Sequence, residues 1–229
     1  MKLLFLKITI LLFLLLQCCN DKTTNPLRNS YQSVTIGTQV WMLKNLDVDH
    51  YRNGDIIPEV KDPTEWSNLS TGAWSYCNED SVTDSIYGKF YNWYAVNDPR
   101  GLAPEGWHIP SDEEWKTLEI YLGMSQSEAD KEGSRGTNEG GKLKEAGTVH
   151  WKYPNIGATN ETGFTALPGG FHYPNGNHYN IGIYFQCWTS TEHSATFSWF
   201  RNLAYGYSNI FRAYDHKENG FSVRCIKNN

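Results

Sequence analysis

The chain has 229 residues, of which 39 % are hydrophobic, 14 % aromatic and 20 % charged, and its formal net charge is −5. This apolar and aromatic content excludes a disordered chain, and the composition is not that of collagen or a coiled coil. An acidic balance without a basic run argues against nucleic acid or an anionic membrane surface as a partner. The nine Trp and fourteen Tyr exceed what a core of this size needs, so we expect some rings to meet a ligand.

The first 19 residues have the pattern of an export signal. An apolar run over residues 8–16 follows two lysines, and it is far shorter than the roughly 20 residues that cross a membrane as a helix. A leucine lies three residues before Cys19, which resembles a bacterial lipobox whose cysteine is acylated after cleavage. Cys18 is the alternative acylation site, and an ordinary cleaved signal is the alternative to a lipoprotein.

Acylation predicts where the protein resides. Each buried methylene of an acyl chain contributes about 0.8 kcal/mol, so several chains on one cysteine give a stable anchor in a membrane. We therefore expect an exported protein, held by lipid at the outer membrane or the surface of a bacterial cell, with residues 20–32 as a flexible tether.

Three cysteines, Cys77, Cys187 and Cys225, follow the signal, and an odd number allows at most one disulfide within the chain. Cys187 lies in an apolar stretch, where a free thiol behaves as a small hydrophobic group. We therefore expect Cys77 and Cys225 as the bonded pair. The cysteine spacings match no zinc site.

The body begins with a β-hairpin and then contains few helices. Alternating residues around a Gly-Thr turn predict the hairpin over 33–42. Residues 44–85 read mostly as loop, and the aromatic run 87–96 is expected to be buried. Ser111 followed by Glu114 forms a capping box pattern that predicts a helix start.

Further along, we predict short helical turns near 125–132 and 140–146. The remaining chain is rich in Gly, Asn and aromatic residues, which favours short strands joined by long turns. These strands are expected at 166–171, 184–190, 197–204 and 220–226. We infer one α+β domain over residues 33–229.

Several motifs follow one another in order along this body, at 36–42, 45–46, 87–93, 106–115, 163–170, 188–191 and 222–225. Together they resemble the Fibrobacter succinogenes major paralogous domain (FISUMP) family over about residues 34–227. That resemblance implies an exported bacterial protein, often a lipoprotein, of unassigned molecular role. Segments 110–115 and 220–224 are also similar to the formylglycine-generating branch of the C-type-lectin-like fold. The implied fold is therefore C-type-lectin-like (sulfatase-modifying-factor-like).

The chain departs from these families where their chemistry lies. Ala103 stands where the FISUMP family often has a cysteine, so a disulfide from there to Cys225 is absent. Formylglycine-generating enzymes bind copper and use a pair of cysteines, and neither Cys187 nor Cys225 has the sequence context of that pair. Calcium-dependent lectins hold Ca²⁺ and sugar with short residue triplets. The similar triplets of this chain are incomplete, since 96–98 lacks the tryptophan and 173–175 lacks the carboxylate. We therefore expect no catalytic set, no cofactor and no metal.

Most motif residues are predicted to be structural. His108 is expected to be a hydrogen-bonded histidine, and Arg224 to form a buried bridge with Glu114 or Glu113. The aromatic residues expected in the core include Trp41, Trp93, Trp107, Trp115, Phe164 and Trp188.

Two segments are candidates for ligand contact, since amides bond sugar hydroxyls and ring faces cover the apolar sugar face. The loop segment contributes His172, Tyr173, Asn175, Asn177 and His178, and the late aromatic segment contributes Trp199, Tyr205, Tyr207 and Tyr214. The structural alternatives are a hairpin turn on Asn175-Gly176 and strands with alternating faces. A metal on the two histidines lacks a third ligand.

The function expected from these features is a non-catalytic binding or adhesion module for a polysaccharide or surface protein. The alternatives are a structural envelope component and, less favoured, an enzyme related to the formylglycine-generating branch. The sequence has no phosphate-binding loop, no nucleophile elbow and no helix-borne histidine pair.

Overall fold

The computed structural model describes residues 31–76, 81–175 and 178–229, with 81–83 described by their backbone alone. The predicted export signal and most of the tether therefore lie outside the described residues, as do Cys18, Cys19, Cys77 and Asn177. Within the described ranges, no helix is long and apolar enough to span a bilayer.

The helices of the described residues are short. Their bounds are α1 Pro63–Ser67, α2 Ser81–Tyr87, α3 Trp93–Val96, α4 Asp112–Tyr121, α5 Gln126–Ala129 and α6 Glu139–Leu143. The capping box is present, because the Ser111 hydroxyl accepts from the Glu114 amide and the Glu114 carboxylate accepts from the Ser111 amide. The helix start predicted from Ser111 and Glu114 is confirmed, whereas α1 and α2 fall where mostly loop was expected.

The strands form two larger antiparallel sheets and two sheets of two short antiparallel strands each. Their bounds are β1 Ser33–Ile36, β2 Gln39–Met42, β3 Trp74–Ser75, β4 Phe90–Tyr91, β5 Trp107–His108, β6 Gly133–Arg135, β7 Phe171–His172, β8 His178–Tyr179, β9 Tyr184–Glu192, β10 Phe197–Ala204, β11 Ile210–His216 and β12 Ile226–Lys227. The small sheet has the order β1-β2-β12-β5 and the large sheet β6-β11-β10-β9. Few helices and several antiparallel sheets agree with the α+β prediction.

The predicted hairpin over 33–42 is confirmed. β1 pairs with β2 from Ser33–Met42 to Ile36–Gln39, and Gly37 makes the turn at a φ of +63°. A side chain at Gly37 would also meet the ring of Tyr121, since its Cβ would lie 2.9 Å from that ring. Glycine is therefore required here by both the backbone and the packing.

The C-terminal segment, residues 220–227, joins the separate sheets. Its backbone exchanges hydrogen bonds with β7 at His172, with β4 at Tyr91 and with β9 at Gln186 and Trp188. It then continues as β12 between β2 and β5. A segment with so many backbone partners holds distant parts of the chain in register.

The predicted core residues are buried as expected. Trp41, Trp93, Trp107, Trp115, Phe164 and Trp188 are each at most 8 % exposed. His108 is hydrogen-bonded to Asn228 through Nδ1 (2.7 Å) and to Glu114 through Nε2 (2.8 Å), as a structural histidine should be.

The structure corrects the predicted partner of Arg224. Its guanidinium donates to the carbonyls of Met42, Leu43 and Phe164 and to the side-chain oxygen of Asn45, at 2.8–3.1 Å. Glu114 is instead engaged by the capping box and His108, and Glu113 pairs with Lys116. The physical reason is that the fold surrounds this guanidinium with backbone carbonyls, which accept its hydrogen bonds in place of a carboxylate.

A different set of arginines makes the buried ion pairs. Glu119 accepts from Arg135 Nη1 at 2.6 Å and Nη2 at 2.8 Å, and from Arg201 Nε at 2.7 Å. Asp112 accepts from Arg201 Nη1 at 2.7 Å and from Arg212 Nη2 at 2.8 Å. Two carboxylates of α4 thus bind three arginines on β6, β10 and β11. We call these five residues the ionic cluster.

Glu119 tests the ionic cluster. Glu119→Gln removes a charge from a side chain that is 0 % exposed and leaves Arg135 and Arg201 partly uncompensated. We expect the free energy of unfolding to fall by about 3–5 kcal/mol in urea denaturation. The control is Glu113→Gln, whose carboxylate is 75 % exposed and whose loss should cost at most about 1 kcal/mol. Equal effects of the two substitutions would contradict the cluster's importance.

Asp112 gives the cluster a dependence on pH. Burial opposes ionisation of Asp112, but the hydrogen bonds and charges of Arg212 and Arg201 outweigh it and lower its pKa to about 2. Because an aspartate in the unfolded chain titrates near 3.9, this stabilisation is complete above about pH 4 and is lost as the pH falls through about 2.

Between those two pH values, the wild type is expected to lose roughly 2 kcal/mol that Asp112→Asn does not lose. The measurement is urea denaturation of both proteins at a series of pH values. Parallel stability curves would contradict the lowered pKa.

Candidate ligand cleft

One face of the large sheet carries an open row of cross-strand neighbours. Gln186 of β9 lies opposite Asn202 of β10, Asn202 lies opposite Phe211 of β11, and Phe211 lies opposite Ser134 of β6. Side chains alternate between the faces of a strand, so these four share one face. They form the floor of a cleft of about 440 Å³, which we call the ligand cleft.

Aromatic rings form one wall of the ligand cleft. The Phe171 and Tyr173 rings meet edge to face, with centroids 4.8 Å apart, and the Tyr184 ring lies 6.4 Å from Phe171. Phe171 is buried, whereas Tyr173 is 42 % exposed. The wall therefore combines a buried ring, Phe171, with an exposed ring, Tyr173, that packs against it.

The turn after β10 forms the opposite wall. Tyr207, 65 % exposed, and Asn209 line the cleft from this turn. The buried ammonium of Lys144 fixes the turn, because it donates to the carbonyls of Ala204 (2.9 Å) and Tyr207 (2.7 Å). The Tyr207 ring is thus exposed on a backbone that is held in place.

Two amides on the floor of the cleft have unused hydrogen-bonding capacity. Gln186 Oε1 and Asn202 Oδ1 are shielded from solvent and have no hydrogen-bond partner among the described residues. A buried polar atom without a partner costs about 1–3 kcal/mol. A ligand hydroxyl that donates to these oxygens would recover that free energy.

The lining of the cleft is neutral. Among the described residues, no Asp, Glu, Lys or Arg lines it, and its polar groups are the amides of Asn180, Gln186, Asn202 and Asn209 and the hydroxyls of Ser134 and the tyrosines. The arrangement can donate to and accept from hydroxyl groups and can cover an apolar ring face. It is suited to an uncharged polar ligand.

The predicted ligand residues divide among several places. Tyr173 and Tyr207 line the cleft. His172 was expected in an exposed loop, but it is 1 % exposed, its ring packs at a tilt against Trp66 with centroids 4.2 Å apart, and it is hydrogen-bonded to Ser75. The reason is that His172 belongs to β7, which pairs with Gly220 in the interior. His178 stacks on His172 at 4.3 Å, and Asn175 is exposed at the turn.

Two of the late aromatic residues, Trp199 and Tyr214, lie on the other face of the large sheet. Trp199 pairs across strands with Tyr214, and Arg212 of the ionic cluster covers the Trp199 ring at 3.8 Å. Tyr205 packs against the core, with Lys152 5.4 Å from its ring centroid. These three residues therefore do not contribute to the ligand cleft.

Sequence reasoning missed Gln186, Asn202, Asn209 and Tyr184 as cleft residues. A signal was present in the strands, since Gln186 interrupts the otherwise apolar run 184–188, and Asn202 stands between Phe200 and Ala204 at the alternate positions of 200–204. Their pairing across β9 and β10 depends on the strand register, which the sequence does not specify.

The thiols of the described chain are closed to solvent. Cys187 and Cys225 are completely buried and form no disulfide with another described residue, and burial raises the pKa of Cys187 to about 12 and that of Cys225 further still. The buried thiol predicted at Cys187 agrees with this. The partner predicted for Cys225, Cys77, lies outside the described residues.

In the part of the chain that is described, no three His, Cys, Asp or Glu residues are grouped to hold a metal ion.

The unpartnered amide of Gln186 leads to a stability prediction. We expect Gln186→Met to leave the free energy of unfolding unchanged or to raise it by up to about 2 kcal/mol, because the substitution removes a buried oxygen without a partner. The comparison is Asn92→Leu, since the Asn92 amide is buried with three hydrogen-bond partners. That substitution is expected to destabilise the protein in urea denaturation. A large loss of stability in Gln186→Met would show that the amide has a structural partner.

No curated protein and no solved structure matches the chain. The family model of the Fibrobacter succinogenes major domain matches residues 34–227, a range that includes all but the first residue of the two larger sheets, the ionic cluster and the ligand cleft. The resemblance of the ordered motifs is thereby confirmed at the level of the family. The chain belongs to the Fibrobacter succinogenes major domain family.

Proposed function

We propose that the protein binds a neutral glycan in the ligand cleft and is not an enzyme. The observation that carries the proposal is the pair of unpartnered amide oxygens, Gln186 Oε1 and Asn202 Oδ1, on the floor of a cleft with aromatic walls. Sugars present hydroxyls around an apolar ring, so they match amides below and rings at the sides.

The absence of charge in the cleft lining selects among glycans. A uronic or sialic acid would place a carboxylate against uncharged amides and tyrosines, and none of the described lining residues carries a compensating cation. Burying a charge without a partner costs far more than burying a hydroxyl. A neutral hexose polymer is therefore the preferred ligand class.

The same lining argues for binding without hydrolysis. Glycoside hydrolysis uses a pair of carboxylic side chains on either side of the scissile bond, and the described cleft residues include none. An oxidase related to the formylglycine-generating branch would need reactive thiols. Cys187 and Cys225 are buried with raised pKa values, which favours the inert thiol over the thiolate.

The cellular setting and the finer fold are parts of this proposal. The apolar N-terminal run before Cys18 and Cys19 supports export and acylation, and an anchored protein would present the cleft to extracellular polysaccharide. The motif similarity at 110–115 and 220–224 supports a C-type-lectin-like arrangement of the α+β fold.

The test is binding of the purified full chain to an array of neutral and acidic polysaccharides, followed by titration of the best neutral ligand. We expect Asn202→Ala to weaken binding by about ten-fold, as loss of one or two hydrogen bonds does. Tyr207→Ala should weaken it by about three- to ten-fold through loss of ring contact. The control is Tyr153→Ala, a ring 81 % exposed that does not line the cleft.

Two results would contradict the proposal. One is a complete lack of binding to neutral polysaccharides, and the other is binding that Asn202→Ala and Tyr207→Ala leave unchanged. If, in addition, crosslinking in cells joins the protein to an envelope protein, the structural alternative would replace glycan recognition.

A further inference from the structure

A second cavity, of about 420 Å³, lies where the chain leaves β2 and meets α2. It shares no lining residue with the ligand cleft. Leu43, Ile86 and Leu167 provide apolar surface, and Arg224 and Lys44 provide positive charge. We call it the basic cavity. Its volume lies within the range of small-molecule sites.

The charge of Arg224 distinguishes the basic cavity from the rest of the interior. Four arginines are buried in the described chain. Arg135, Arg201 and Arg212 each bind a carboxylate of the ionic cluster. The guanidinium of Arg224 is 1 % exposed, and among the described residues it binds oxygens that carry no formal charge.

The guanidinium also has one N–H group without an acceptor among the described residues. Arginine has five N–H groups. Those of Nε and Nη1 donate to Asn45 and to the carbonyls of Met42, Leu43 and Phe164. Nη2 donates once, to Asn45 Oδ1 at 2.8 Å, so its second N–H has no acceptor in the described part of the chain. Burial lowers the pKa of Arg224 to about 10, which leaves it charged at neutral pH.

The rest of the lining adds a second cation and no acid. Lys44 is exposed at the rim and forms no ion pair with a described residue. His150 lines the cavity as well, and its Nδ1 is bonded to Glu145 at 2.8 Å. Glu145 is not itself a lining residue, and no described lining residue is Asp or Glu. The unbalanced charge of the cavity is therefore positive.

We propose that the basic cavity binds a small organic acid with one carboxylate and an apolar body. The carboxylate lies towards Arg224 and Lys44, and the apolar body lies against Leu43, Ile86 and Leu167. A carboxylate accepts from the unused N–H of Arg224 and compensates its buried charge. The apolar body gains free energy from removing these side chains from water.

The experiment compares benzoate with benzamide on the full chain by isothermal titration calorimetry. The two probes have nearly the same shape, and only benzoate carries a charge. We expect benzoate to bind with a Kd in the millimolar range, and benzamide to bind at least about ten-fold more weakly, since its carbonyl carries no negative charge to compensate that of Arg224.

The variants do not change Arg224 itself, because its guanidinium is buried and bonded to the backbone, and its substitution could unfold the protein. Lys44→Gln is expected to weaken benzoate binding by about two- to five-fold, as loss of an exposed charge does, whereas Lys227→Gln, outside the cavity, leaves it unchanged. Ile86→Trp fills the cavity and is expected to abolish binding. The matched control is Ile56→Trp, at a side chain 69 % exposed and outside the cavity.

Equal binding of benzoate and benzamide would overturn the proposal, because charge would then not determine recognition. Absence of benzoate binding up to about 20 mM, beyond the range expected for a fragment of this size, would overturn it as well. Unchanged benzoate affinity in Ile86→Trp would place the probe elsewhere, with the same consequence. None of these results bears on the ligand cleft.

Discussion

The ionic cluster fixes helix α4 to one face of the large sheet, and the rest of the molecule is arranged around that contact. Asp112 and Glu119 lie at the two ends of the helix and bind arginines from three different strands. Two of those arginines, Arg201 and Arg212, are direct cross-strand neighbours, so their repulsion must be compensated between them. Asp112 accepts from both. Leaving one member of a buried ion pair without its partner costs far more than replacing the whole pair by apolar residues. A shift of α4 would separate these pairs, so the ionic cluster favours one position of the helix.

Because α4 covers one face of the large sheet, the opposite face of the same strands is available for other contacts. At one end, Trp188 and Phe200 close that face against Phe221 in the core. Two residues along each strand, Gln186 and Asn202 replace the rings, and the face opens into the ligand cleft. A buried amide without a partner lowers the stability of the unliganded protein. Apolar residues would fill the floor of the cleft at a lower cost in free energy. The presence of such amides there is the physical basis of the proposal that this face binds a ligand.

The sequence predicts features that depend on neighbours along the chain, and it misses those that depend on register. The hairpin at Gly37 and the start of α4 at Ser111 follow from local turn and capping chemistry, and both are confirmed. The buried tryptophans follow from hydrophobicity alone. The ligand cleft does not, because Gln186 meets Asn202 only through the pairing of β9 with β10. The predicted partner of Arg224 was wrong for the same reason. The apolar residues next to Arg224 in the sequence predict that it is buried, but they do not specify which acceptors the fold brings to its guanidinium.

Arg224 and Gln186 show how one backbone segment supports two sites of different chemistry. The amide of Ser222, in the C-terminal segment, donates to the carbonyl of Gln186 and so positions the strand beneath the ligand cleft. Two residues later, the side chain of Arg224 lines the basic cavity. The first site is neutral and presents amides, and the second is cationic and presents a guanidinium. A charged ligand binds poorly where no counter-charge is available, and a neutral polyol cannot compensate the charge of an unpaired cation. Each cavity therefore disfavours the ligand class that the other one suits.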